Sequence, residues 1–309
     1  MLWKTWCVAR YGWLQNQSAK AGVICVHSPI AVMGRSDESP AGSRNWDKAI
    51  VPQSLLGAEA AQAAHGMVEG YVSRATTRGD VVTRIVDLSQ EIYEGMPVYA
   101  GHLETKVWQH HRFEDTAPNF DSDFAYQSLG ITFCDHGPTH VDALSHLDPR
   151  PDAATIDRMD LAQFCGEGTC LDVSGVAPRQ YITADHLERA AAGVDLREGD
   201  VLLLRTGAAD RFGGTPEYTT QYPGLDQSAA DWLRDRKPKI FGVDSPSPDN
   251  PADRIYPAHL FSRASGVTHY ENLANLAEVA GRRFMFFGFP LRIRGGHGSP
   301  VRAVAMLDD

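Results

Sequence analysis

Cys134-Asp135-His136-Gly137-Pro138-Thr139-His140-Val141-Asp142-Ala143-Leu144-Ser145-His146 places three histidines and one of its two aspartates, His136, His140, Asp142 and His146, at even positions. An extended chain repeats its side-chain direction every second residue, so one strand would present all four groups on one face. A helix would scatter them, and Gly137-Pro138 is foreign to a helix interior. Two neutral imidazoles and one carboxylate form a nitrogen and oxygen set that suits zinc, manganese or ferrous iron and leaves positions open for water and substrate. The run therefore predicts a catalytic metal site with a fourth, acid/base histidine beside it.

Working outward, the 309 residues accommodate one catalytic domain and an extension. The catalytic domain is expected over 81–309 and a poorly ordered N-terminal extension over 1–80. The extension has scattered tryptophans (Trp3, Trp6, Trp13, Trp46), a polar stretch around 34–46 and no sustained period. An alanine-rich piece at 55–65 predicts a short helix, and Met67 is a candidate alternative start. The apolar piece from Ala21 to Met33 is interrupted by His27, Ser28 and Pro29, which argues against a signal peptide.

Hydrophobic residues make up 43% and no apolar run is long enough to span a bilayer, so a membrane role is not expected. The charge of 29 − 39 = −10, with scattered basic residues, offers no stripe for a phosphate backbone, and nucleic acid is not an expected partner. The five cysteines at 7, 25, 134, 165 and 170 form no CxxC pair and read as reduced thiols of a cytoplasmic protein.

From Val81 onward, short apolar runs alternate with capped helical stretches, which predicts a mixed α/β class. Strands are expected at 81–88, 126–133, 168–173, 200–206, 240–244 and 283–288. Helices are expected at 183–192 behind a threonine cap, at 226–235 behind an aspartate cap, and at 272–280 ending before Gly281.

The central run resembles the signature His-x-Gly-Thr-His-x-Asp-x-Pro-x-His of the cyclase family, which includes kynurenine formamidases and isatin hydrolases. Here proline stands at the family's glycine position and Leu144 at its later proline. The resemblance extends from about Ile85 to Met306 and includes Asp87–Tyr99, Gly199–Gly207, Gly242–Ser247 and Gly298–Arg302. It implies a swivelling β/β/α fold, a homodimer, metal ligands at His136, His140 and Asp142, and a catalytic histidine at His146. His259 and Glu271, in Glu271-Asn272-Leu273, match the residues that complete a second metal site. His269 and His297 find no assignment, and the nearness of His269 to Glu271 makes it a possible false ligand. Asp244, Ser245 and Asp249 are read either as pocket lining or as a turn cluster.

One or two divalent ions, zinc or manganese, held in this way lower the pKa of a bound water from about 15.7 towards 7 and polarise a carbonyl. His146 would move the proton to a leaving nitrogen. The expected activity is hydrolysis of a small amide, an aryl formamide such as N-formylkynurenine or a cyclic amide such as isatin, with lactone hydrolysis or cyclase activity as the alternative. Tyr99, Trp108, Phe124 and Phe133 are read as core or as a stacking wall. Rival classes are a facial-triad iron oxygenase, since His140-x-Asp142 fits that spelling, and a non-catalytic metal-binding protein.

Overall fold

The computed structural model describes residues 74–75 and 83–308; the rest of the expected extension, including the helix at 55–65, the apolar piece at 21–33 and Met67, lies outside the described residues. Its elements in chain order are β1 (Arg74–Ala75), β2 (Thr83–Asp87), β3 (Lys106–His111), α1 (Phe113–Thr116), β4 (Ser128–Thr132), β5 (His140–Asp142), α2 (Leu144–Leu147), β6 (Cys165–Asp172), β7 (Tyr181–Ile182) and α3 (Ala184–Ala191). There follow β8 (Val201–Arg205), α4 (Ala208–Phe212), β9 (Gly224–Leu225), α5 (Gln227–Arg236), β10 (Ile240–Val243), α6 (Pro257–Ser265), β11 (His269–Glu271), β12 (Arg283–Phe287), β13 (Gly298–Pro300) and β14 (Val304–Asp308).

Ten strands form one mixed sheet in the order β1-β2-β14-β12-β6-β8-β10-β11-β5-β13. The middle of the sheet, β6-β8-β10-β11, is parallel, and antiparallel strands continue it on both sides. Both faces of the sheet at β8 and β10 are covered, which is why these two strands read as apolar runs. In β8, Val201 and Leu203 enter one buried cluster while Leu202 and Leu204 enter the other.

The second cluster is closed by Leu187 of α3, Trp232 and Leu233 of α5 and Phe261 of α6. The first gathers Val86 of β2, Phe286 of β12, Leu203 of β8, Tyr270 of β11 and Val141 of β5, strands drawn from the whole width of the sheet. Such a set shares one core because the sheet curls around it. The fold is mixed α/β, as expected.

The caps behave as their sequences require. Thr183 and Asp226 accept hydrogen bonds from the His186 and Ala229 backbone amides at the starts of α3 and α5. Helix α6 was not anticipated, because Pro257 follows a turn-rich stretch. Pro257 nevertheless occupies the first helical turn, where no backbone donor is needed, and the Asp249 carboxylate caps the Ala258 and His259 amides.

Two expectations fail. The stretch 272–280 is not a helix: Asn272 and Asn275 take left-handed φ values of 57° and 56°, and only a 3₁₀ turn forms at Leu276–Glu278. Its backbone donors go to tertiary partners instead, Asn272 to Ser245, Leu273 to Val243 and Ala274 to Leu88, which outweighs the helix propensity of its alanines and leucines. The run 136–146 is likewise not one strand. His136 stands in a turn closed by Gly137 N–H donating to Cys134, only His140–Asp142 is extended, and His146 rides on the short α2. Gly137-Pro138 ends regular extension on one side, and the Ala143–His146 turn ends it on the other.

Candidate metal centre

Strand β5 pairs antiparallel with β11, placing His140 opposite Glu271 and Val141 opposite Tyr270. Alternation then sends Val141 and Tyr270 into the core and leaves His140, Asp142, Glu271 and His269 on the other face. Two His-x-acid pairs thus face each other across two strands. On the far side, β13 places Gly298 opposite Asp142, where a Cβ would lie 2.6 Å from His136 Cε1. Glycine there makes room for the His136 ring.

All six sequence-predicted residues converge. Asp142 Oδ1 lies 2.8 Å from His136 Nδ1 and 3.4 Å from His140 Nε2, while Oδ2 lies 3.9 Å from His146 Nε2. Glu271 Oε2 lies 3.3 Å from His140 Nε2, and Oε1 lies 3.8 Å from His259 Nε2. His269, which sequence reasoning set aside, belongs to the same cluster, with Nε2 3.3 Å from both Asp142 Oδ2 and Glu271 Oε1. The signal that could have found it was the spacing of two to Glu271, a repeat of His140-x-Asp142.

His297 lies apart, its ring exposed and paired with the Ser145 hydroxyl. Asp244 anchors the Thr206 and Gly207 amides, and Ser245 donates to the Ser247 carbonyl. Asp249 has a direct role at the cluster, because its carboxylate meets His259 Nδ1 at 2.5 Å.

Three imidazoles are held from outside. His140 Nδ1 donates to the Pro138 carbonyl at 2.8 Å, His259 Nδ1 to Asp249, and His269 Nδ1 faces the Ser262 hydroxyl at 3.2 Å. Each arrangement leaves Nε2 as the lone-pair atom turned inward, the way metal-binding imidazoles are fixed.

Five atoms of this cluster are buried without a hydrogen-bond partner: Nε2 of His136, His140 and His269, Asp142 Oδ2 and Glu271 Oε1. Leaving such a group unsatisfied costs about 1–3 kcal/mol. Convergent orphaned nitrogen and oxygen atoms fit one or two divalent cations, and two overlapping groups within ligating reach share Asp142: His136, Asp142 and His146; and Asp142, His259, His269 and Glu271.

The charges follow from the same packing. Burial works to raise Asp142, but the surrounding imidazoles, His269, His136 and His140, hold it well below the usual carboxylate range. Burial likewise opposes ionisation of Glu271, and His140 and His269 overcome it, bringing its pKa to about 2. In return, His140 rises to about 10 against its own burial, and His259, facing Asp249 and Glu271, to about 9. His146 behaves oppositely: burial lowers it to about 4, although Asp142 pulls the other way.

A cavity of about 180 Å³ opens onto the cluster, lined by Tyr99, His102, His136, His146, Tyr256 and His259, among others. Tyr99 and Tyr256 join hydroxyls at 2.9 Å in its wall. Trp108 and Phe124 are exposed and do not line this cavity, and Phe133 lines a separate groove with Ile92 and Leu291. The hairpin of β3 and β4 that carries Trp108 pairs outside the main sheet, which takes it out of the core.

The family model described as "Putative cyclase" matches residues 86–250. The chain belongs to this cyclase family. It is 27% identical to a kynurenine formamidase of Bacillus cereus over 227 residues, 71% of this chain and 95% of that protein. A kynurenine formamidase of Salinibacter ruber is also 27% identical, with 71% of this chain and 96% of that protein covered. Isatin hydrolase A from Labrenzia aggregata, solved with benzyl benzoate bound, shares the fold at a TM-score of 0.65 and 23% identity, covering 74% of this chain and 94% of that one. Among the described residues, no helix is long and apolar enough to cross a membrane.

Proposed function

We propose that this chain is a metal-dependent hydrolase that opens a small aromatic amide, an aryl formamide or an isatin-like lactam, at the His136–Glu271 cluster. The observation that carries the reading is the set of five buried, unpartnered ligand atoms in one cluster, with a cavity of about 180 Å³ opening beside it at His136, His146, His259 and Glu271. The kinship with kynurenine formamidases and the fold shared with isatin hydrolase A support the same chemistry.

His136, His140 and Asp142 would hold one divalent ion, and His259 and Glu271 with Asp142 a second. Bound there, zinc or manganese would acidify water and polarise a carbonyl. His146 is the proton carrier: uncharged at neutral pH and partly open to the cavity, it accepts a proton from water as oxygen attacks the carbonyl carbon. When the carbon–nitrogen bond breaks, the same imidazole returns that proton to the departing nitrogen, so amide and water become acid and amine. Tyr99 and Tyr256 form an aromatic wall against which a planar substrate stacks. In the homodimer implied by the family resemblance, a partner would cover the apolar hairpin face where Leu129 and Ile131 stand exposed.

The facial-triad oxygenase needs two histidines and one carboxylate, and leaves the remaining imidazoles and Glu271 without a role. Metal analysis combined with hydrolysis of a panel of formamides, lactams and lactones tests the proposal. Amide turnover that chelation abolishes and zinc or manganese restores is expected. Lactone turnover without amide turnover would place the enzyme in another branch, and oxygen consumption with bound iron would overturn the reading.

A further inference from the structure

The two carboxylates of the cluster each divide their oxygens between two sides. Asp142 Oδ1 and Glu271 Oε2 face His140, and Asp142 Oδ1 also faces His136. Asp142 Oδ2 and Glu271 Oε1 face the other way, both towards His269, with His259 next to Glu271 Oε1. The first side owns two imidazoles from the signature run. Without His269, and with His146 (Nε2 3.9 Å from Asp142 Oδ2) kept as the proton carrier, the second side would own one, His259.

Resting on the metal-dependent reading above, we infer that His269 is a ligand of the second ion, which is held by His259, His269, Asp142 and Glu271. Four independent features support this. His269 is completely buried, and its Nε2 is the only ring nitrogen turned into the cluster, because Nδ1 is engaged by Ser262. That Nε2 lies 3.3 Å from two carboxylate oxygens and hydrogen-bonds to neither, the spacing of ligands around a common centre rather than of a donor and its acceptor. The ring is also packed between two others, tilted 33° against Phe241 at 5.1 Å and edge-on to His259 at 4.8 Å. Finally, β11 presents His269 and Glu271 on one face of the strand, so the same backbone that delivers the carboxylate delivers the imidazole.

With His269 included, each ion would have two imidazoles and oxygens of Asp142 and Glu271 within reach. The added nitrogen biases the second position towards zinc and away from cations that prefer an all-oxygen shell, such as magnesium or calcium.

The test is zinc content of the full chain after equilibration with a weak chelator, with His269→Ala and His297→Ala compared with wild type. Two ions per chain are expected in wild type and in His297→Ala, whose exposed ring lies outside the cluster. His269→Ala should keep one tightly held ion and bind the second more than about 100-fold more weakly, since even an outer partner of a ligand is worth about 10–100-fold.

A second zinc of unchanged affinity in His269→Ala overturns the inference. Should that variant not fold, a crystal structure of the zinc-loaded wild-type chain decides. Anomalous density about 2.0–2.1 Å from His269 Nε2 supports the inference, and zinc more than about 3 Å away refutes it. Zinc at His136, His140 and Asp142 with none near His269 removes this inference alone. Absence of zinc from the whole cluster removes the functional reading with it.

Discussion

The cluster has two halves built in opposite ways. The half formed by His136, His140, Asp142 and His146 comes from eleven consecutive residues, and only turn, strand and helical turn are needed to fold it. The half formed by His259, His269 and Glu271 comes from a helix and a strand brought to β5 by sheet pairing, and its rings are aimed by Asp249 and Ser262. A local run can be read as chemistry directly. A site assembled by topology becomes visible only when register is known, and its precision rests on residues outside the ligand set.

The sharpest way to break this contrast is at its local half. His140→Ala removes a fully buried imidazole that faces both carboxylates, and it should abolish tight metal binding and turnover together. His146→Ala should instead retain both metals, measured by elemental analysis, and lose about 10²–10⁴-fold in kcat, the usual range for a removed proton carrier. If His146→Ala lost metal while keeping turnover in excess zinc, the roles of the two histidines would have to be exchanged.

Next in size is a pH effect that both halves share. Before cations bind, Asp142 and Glu271 help hold His140 protonated to about pH 10, and Glu271 with Asp249 holds His259 protonated to about pH 9. Each imidazole must give up its proton to bind metal, so affinity rises with pH below about 9, by up to about a hundredfold per pH unit if both protons are released. Calorimetry in buffers of different ionisation enthalpy would count those protons. Release of none at pH 7 would show that the carboxylates do not hold the imidazoles charged.

Asp249→Ala sharpens the comparison from the topological side. Asp249 touches no cluster atom except through His259, whose Nδ1 it holds, and it also caps α6. Its removal should weaken the second ion by about 10–100-fold and leave the first unchanged. The cap it provides at the start of α6 adds about 1 kcal/mol, so a modest fall in melting temperature should accompany the loss. Equal weakening of both ions would mean that the two halves do not act separately.

The same division explains what the sequence disclosed. Strands β6, β8, β10 and β12 and helices α3 and α5 were legible because burial on both faces, or a cap before an amphipathic stretch, leaves a local trace. Strands β5, β11 and β13 have three residues each and owe their existence to pairing with one another. The helix expected at 272–280 was lost to tertiary hydrogen bonds that no window of sequence contains. His269 differs: its nearness to Glu271 made it read as a false ligand although the His-x-acid spacing was there to see, and only the pairing of β5 with β11 brings Asp142, 127 positions away, to its ring.

The smallest effect is expected furthest from both halves. The kynurenine formamidase of Bacillus cereus is 95% covered by 71% of this chain, and the family match begins at residue 86. The composition of residues 1–66 shows no sustained apolar period that would mark a core-forming element. Truncation at Met67 retains β1 and its pairing with β2, so the edge of the main sheet is preserved. Zinc content, kcat and melting temperature should therefore stay close to those of the full chain. A drop of several degrees in melting temperature with kcat unchanged would assign the tryptophans of that segment a packing role on the catalytic domain or on a partner subunit. A fall in kcat with the melting temperature preserved would bring the segment to the cavity mouth, and the contrast between a local and a topological half would then need a third contributor.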